Sequence, residues 1–176
     1  MCSPPCPQGY KNVVRLKGGD PAVFSRASSE AAALANARIP FEFVPGVSSA
    51  LAAPLLAGFP LTDARLGSSF AVVSGHDVEG TDWDAFSRIP TLVILMAGRG
   101  LPRIVQKLLA PGRQASTPVA VVHAAGLPEQ RVWWSTLGCV VQDTEDQDLS
   151  PCVVVVGDVA GLPAAWQSTV PAALND

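Results

Sequence analysis

Short apolar runs alternate along this chain with stretches rich in Ala and Leu. Val13 to Lys17 (VVRLK) is a β-branched run that stops at Gly18 and Gly19, and Ser25 to Arg38 then carries Ala, Leu and Glu. That order predicts strand, glycine loop, helix. Phe41 to Val44 (FEFV) alternates and is cut by Pro45-Gly46, before a second Ala/Leu-rich helix over about Val47 to Ala57. Helices set between short apolar strands imply parallel pairing through crossovers, in a sheet covered on both faces.

The pattern breaks at Gly58 to Gly67 (GFPLTDARLG), where Gly, Pro and Asp place a domain boundary. Beyond it the chain predicts strands near Phe70 (FAVVSG), at Thr91 to Met96, at Pro118 to His123, at Arg131 to Leu137 and at Cys152 to Val156. Helices are expected near Trp83 to Arg88 and over Leu101 to Leu109. The expected organisation is a partial N-terminal α/β domain over 1–66, a C-terminal α/β domain over 67–166 and a tail over 167–176.

Composition narrows the function classes. Hydrophobic residues make up 48% and charged residues 15%, the balance of a packed protein rather than a disordered one. A net charge of -3 supplies no basic field for a nucleic acid, so a small-molecule ligand is expected. No apolar run approaches the roughly 18 residues of a membrane span. Cys2, Cys6, Cys139 and Cys152 lack paired metal-ligand spacing and read as reduced thiols in a protein without a metal. The opening MCSPPCPQGYKN has neither a secretion signal's apolar core nor a transit peptide's Arg-rich pattern, and reads as the edge of a truncated start.

Lys17-Gly18-Gly19-Asp20-Pro21, where a strand feeds a helix, is the strongest local signal. Ligands of open parallel sheets sit outside the strands' C-terminal ends. Two glycines allow close backbone approach, and Asp20 can accept hydrogen bonds or face a cation. The pattern is neither GxxxxGK[ST] nor GxGxxG, which counts against phosphate-loop and nicotinamide readings. A plain tight turn with Asp20 capping a helix explains it equally. Val44 to Ala50 (VPGVSSA) forms a second corner, where Ser48 and Ser49 serve either as helix caps or as ligand contacts.

VVRLKGGDPAVFSR, IPFEFVPGVSSALAAPLLAGFPLT, TLVILMAGR, GR followed by TPVAVV, and LSPCVVVVGDV resemble, in order, the signatures of the uroporphyrinogen-III C-methyltransferases, from about Val13 to Pro163. The resemblance implies a two-domain α/β tetrapyrrole-methylase fold with its first domain incomplete here, a homodimer, and S-adenosyl-L-methionine in the cleft between domains. It implies methylation of uroporphyrinogen III at C2 and then C7 to give precorrin-2, for siroheme and in some members cobalamin. It puts Gly18, Gly19, Asp20, Val23, Ser48, Ser49, Met96 and Ala125 at the cofactor. By residue type alone Met96 would more often fill the core.

Several positions depart from the family pattern. Ser25, Ala27, Ser28 and Ser29 stand where Gly, Gly, Gly and Glu are common, so a loop needing positive φ is expected to be altered. Gly126 replaces a frequent threonine, and Asp63-Ala64 replaces a basic corner that is lost or moved to Arg65. The family's first strand and GxGPGDP-type loop, with its acid and base, are not found before Val13. No catalytic acid or base is therefore named, and the chain alone is expected to turn over slowly.

Methyl transfer to a pyrrole carbon is a direct displacement, so alignment and exclusion of water matter more than any nucleophile. His76 and His123 are given no role. Arg15, Lys17, Arg26, Arg65 and Arg99 are candidates for meeting substrate carboxylates, or solvated surface charge. The alternatives are a sister precorrin methyltransferase and a non-catalytic dimerisation module. The expected location is the cytoplasm, or a plastid for an algal or plant parent.

Overall fold

The computed structural model of the protein describes residues 12–162, so Cys2, Cys6, Pro163 and the expected tail lie outside it. Contacts divide the chain after Ser48 into two units. In the first, helix α1 runs over Ala27–Asn36. It starts two residues later than expected. The Ser25 hydroxyl donates to the Pro21 carbonyl, the Ser25 carbonyl accepts from Lys17 Nζ at 2.8 Å, and Arg26 takes a left-handed φ of 59°. Arg38, also left-handed, ends the helix in a Schellman turn, with Ile39 N donating to Leu34 O and Arg38 N to Ala35 O.

The strands expected at Val13–Lys17 and Phe41–Val44 are not formed; both segments are irregular. A strand is stable only as part of a ladder, and neither segment has a pairing neighbour among the described residues. Their apolar side chains stand open, Val14 at 82% and Leu16 at 81% exposure. Lys17 is held differently, by an ion pair with Glu30 at 2.7 Å that Arg15 joins at 3.3 Å. The Lys17 ammonium, ahead of Arg15, holds the Glu30 carboxyl below its ordinary range.

The second unit begins with α2, Ser49–Leu56, and continues through β1 Phe70–Ser74, α3 Trp83–Ser87, β2 Thr91–Leu95 and α4 Leu101–Leu109. β3 Pro118–His123, β4 Arg131–Thr136, α5 Val140–Asp143 and β5 Cys152–Val156 complete it. Every strand and helix expected here is found, and the one-turn α5 is additional. The sheet order is β1-β2-β5-β3-β4. Among the described strands β1 and β2 are the one parallel neighbouring pair; β5 lies antiparallel between β2 and β3, and β4 is antiparallel to β3. β4 returns antiparallel to β3 because the short 124–130 connection cannot carry a crossover.

β2 is buried along its whole length, as are Val153 to Val156 of β5. On one face Leu92, Ile94, Val119, Val121 and Val154 pack with Ile104 and Leu108 of α4 and Val140 of α5. α2 packs against β2 and β5. Both faces of the sheet centre are therefore covered. No helix among the described residues is long and apolar enough to cross a membrane.

The GR of the GR…TPVAVV run has a structural task. The Arg113 guanidinium donates to four carbonyls, Ile89 at 3.0 Å, Pro90 and Val156 at 3.1 Å, and Ser87 at 3.3 Å. It ties the entry of β2 to the exit of β5. Burial pushes its pKa down and the charge of Asp158 opposes this. Arg113→Lys is expected to cost about 2 kcal/mol, because one ammonium cannot reproduce the planar fork and leaves carbonyls unsatisfied. A urea midpoint equal to that of the unaltered chain would refute this assignment.

Candidate functional site

Asp20 joins the two corners of the first unit. Its Oδ1 accepts from Ala22 N at 2.7 Å and its Oδ2 from Gly46 N at 3.0 Å. These backbone donors, Ala22 first and Gly46 second, hold the carboxyl below its ordinary pKa, so it is ionised at neutral pH. Gly46 packs so closely on Gly19 that a Cβ there would stand 2.4 Å from the Gly19 carbonyl oxygen. Gly19 itself has φ 72°. The two glycine corners thus form one clasp, which explains why both need glycine.

Gly18 has open space where a side chain would stand, Val23 N donates to Asp20 O at 3.1 Å, and Ser48 is buried. Beside the clasp lies an open concavity of about 740 Å³, bordered by Asp20, Phe24, Arg26, Phe43 and Pro45. The positive φ expected of the altered loop falls on Phe24 (47°) and Arg26 (59°), not on Ser25, Ala27 or Ser28.

The strand register of the second unit brings another set together. Leu95 pairs with Val153, and His123 with both Cys152 and Arg131, so β2 and β3 end where β5 and β4 begin. On this rim sits Met96, at φ 58° and 51% exposed, so it does not fill the core. Non-glycine residues at positive φ cost energy and gather at functional sites. Ala124 has φ 47°, and Ala125 follows it half-buried. Ser49 is exposed at the start of α2.

The His123 ring lies edge-on to Trp133, which Arg131 covers at 5.2 Å. Burial pushes the Cys152 thiol up to about 11 against an opposing contact from Gly98, so it is not a thiolate at neutral pH. Among the described residues no cluster of His, Cys, Asp or Glu could hold a metal. Asp63 accepts from Arg65 N at 2.9 Å and Leu66 N at 3.2 Å and so folds its own turn, leaving Arg65 exposed. Arg99 is exposed, while Arg15 and Lys17 are engaged by Glu30.

Sequence reasoning missed Gly46 as Asp20's partner, and it missed Gln130. That side chain bridges Gly126 N and the Leu56 carbonyl. A lone polar side chain closing a glycine-containing loop was the available signal.

The sequence profile of the tetrapyrrole (corrin/porphyrin) methylases matches residues 7–140. The chain belongs to this family. Among tetrapyrrole methylases it is 46% identical over 161 residues to a uroporphyrinogen-III C-methyltransferase of Synechococcus elongatus, covering 92% of this chain and 66% of that protein. It is 40% identical over 159 residues to an S-adenosyl-L-methionine-dependent uroporphyrinogen III methyltransferase of Methanosarcina barkeri, at 86% and 62% coverage. It thus spans about two thirds of these relatives' length. A solved uroporphyrin-III C-methyltransferase of Thermus thermophilus, complexed with S-adenosyl homocysteine, superposes with TM-score 0.77 at 37% identity, over 87% of this chain and 68% of that one. A cobalt precorrin-4 methyltransferase at 20% identity and TM-score 0.74 shows that the tetrapyrrole-methylase fold extends beyond close sequence relatives.

Proposed function

We propose that the protein is an S-adenosylmethionine-dependent methyltransferase that converts uroporphyrinogen III to precorrin-2 by methylating C2 and then C7, in siroheme synthesis. The observation that carries this reading is the 46% identity to a uroporphyrinogen-III C-methyltransferase, across a stretch that includes both glycine corners and the Met96 rim. Siroheme synthases of Hahella chejuensis and Zymomonas mobilis, 39% and 38% identical, support the pathway. The reading includes a homodimer and a cytoplasmic location.

The residues present fit the cofactor. Gly18 leaves room for close approach, the ionised Asp20 places negative charge where a sulfonium would be favoured, and Met96 and Ala125 offer an exposed rim. When bound, the cofactor supplies an electrophilic methyl group. Asp20 spends both carboxylate oxygens on backbone donors, so its part is to hold the corner and to contribute charge. Gly18, Gly19, Val23, Ser48, Ser49, Met96 and Ala125 bind and orient. A half-buried Cys152 thiol held above its ordinary pKa agrees with transfer that needs no covalent nucleophile.

Titration calorimetry of the chain with S-adenosylhomocysteine tests the cofactor. Transfer of labelled methyl groups to uroporphyrinogen III tests the substrate, in the chain and in a chimera carrying the N-terminal segment of the Synechococcus relative. Binding by the chain and two methyl groups per macrocycle in the chimera are expected. No binding and no transfer would refute the reading.

A further inference from the structure

The loop joining β3 to β4 is pinned at both ends. Ala124 N donates to Pro151 O at 3.0 Å, and Gln130 N donates to Leu127 O at 2.9 Å. Between these points Gly126 N donates to Gln130 Oε1 at 2.7 Å, while Gln130 Nε2 donates to the carbonyl of Leu56, the last residue of α2, at 3.2 Å. The loop makes this turn at a strained Ala124, φ 47°, and at Gly126, φ 80°.

In a planar trans peptide the carbonyl and the N–H point in opposite directions. Gln130 draws the Gly126 N–H to itself and so turns the Ala125 carbonyl the other way. No described residue donates to that carbonyl. We infer that Gln130 is a positioning residue: it sets the Ala125–Gly126 peptide so that the Ala125 carbonyl stands on the rim as an acceptor for an amine or hydroxyl of the nucleoside cofactor. The inference rests on the cofactor reading above, and it adds to that reading the residue that aims the acceptor. The second bond, to Leu56, fixes Gln130 to a helix packed against the sheet, so the aim is set by the fold and not by the loop alone.

The test compares Gln130→Met, which fills similar space with neither hydrogen bond, and Gln130→Glu, which keeps an acceptor for Gly126 N. S-adenosylhomocysteine affinity, the thermal midpoint and the Gly126 amide resonance are measured in the full chain. Gln130→Met is expected to bind about tenfold more weakly, the loss of roughly one well-made hydrogen bond, at a thermal midpoint close to that of the unaltered chain. Its Gly126 amide should shift, and Gln130→Glu should restore both that resonance and most of the affinity. Undiminished affinity in Gln130→Met while the unaltered chain binds overturns this inference alone. A Glu variant as weak as the Met variant places the effect on the Leu56 tether and overturns the peptide-orientation claim. An unaltered chain that does not bind overturns the cofactor reading, and this inference with it.

Discussion

Gly157→Ala should cost the protein about 3–5 kcal/mol, the largest loss expected of any single methyl group in it. Gly157 closes β5 at φ 149°, a conformation side chains rarely adopt, and a Cβ there would stand 2.4 Å from the Pro90 carbonyl oxygen and 3.1 Å from Thr91 Cα. Both obstacles are backbone, so neither can rotate aside. Pro90 is also one of the carbonyls Arg113 holds, and displacing it disturbs the junction of β2 and β5. Gly112→Ala supplies the comparison: Gly112 has φ 103° with nothing within 4 Å, so it isolates backbone strain from collision. That variant should cost about 1 kcal/mol. Urea denaturation of both decides the point. Equal losses would show that the contact with Pro90 does not matter.

The second large effect concerns the clasp. Gly46→Ala should weaken S-adenosylhomocysteine binding about ten- to a hundredfold, the range expected when a hydrogen bond to a charged group is lost. The added methyl would meet the Gly19 carbonyl, so the corner must open and Asp20 must release Gly46 N. Asp20→Asn breaks the same clasp from the other side, by weakening the acceptor that holds Ala22 N and Gly46 N. The double variant should therefore be little worse than either single one. Calorimetric titration of the three variants reads the effect. Unchanged affinity in Gly46→Ala would remove the clasp from the account of binding, and additive losses would separate Asp20 from Gly46.

The second unit was legible because each strand carries its own evidence. Leu92–Leu95 and Val153–Val156 are apolar throughout, as strands buried on both faces must be, and the breaks between them carry Gly, Pro or Asp. Neighbour relations were not legible. Nothing in CVVVV says that it inserts between β2 and β3, and the rule favouring sequential neighbours points elsewhere. In the first unit, VVRLK and FEFV have strand composition and no strand. Propensity describes a residue's fit to a ladder and cannot supply the ladder.

The site was read in the same uneven way. Gly18, Gly19 and Asp20 declared themselves as a glycine corner, but the partner of Asp20 lies 26 residues away in what reads as an ordinary Pro-Gly turn. Gln130 and Leu56 are 74 apart, and no local pattern links them. The positive φ of Met96 and Ala124 was invisible for a different reason. Neither residue type prefers that conformation, so only the surrounding packing reveals it.

The central place of β5 also governs the order in which the domain can assemble on the ribosome. β1 and β2 can pair as soon as they emerge, and β3 with β4 after them, but these are two separate pieces until Cys152–Val156 is synthesised. Of the described strands, the last made is the one that joins them. Nearly the whole unit must clear the exit tunnel before its sheet closes, and until then the inner edges of β2 and β3 remain unpaired. Nascent chains of this protein therefore carry a bare strand edge from the emergence of β2 until that of β5.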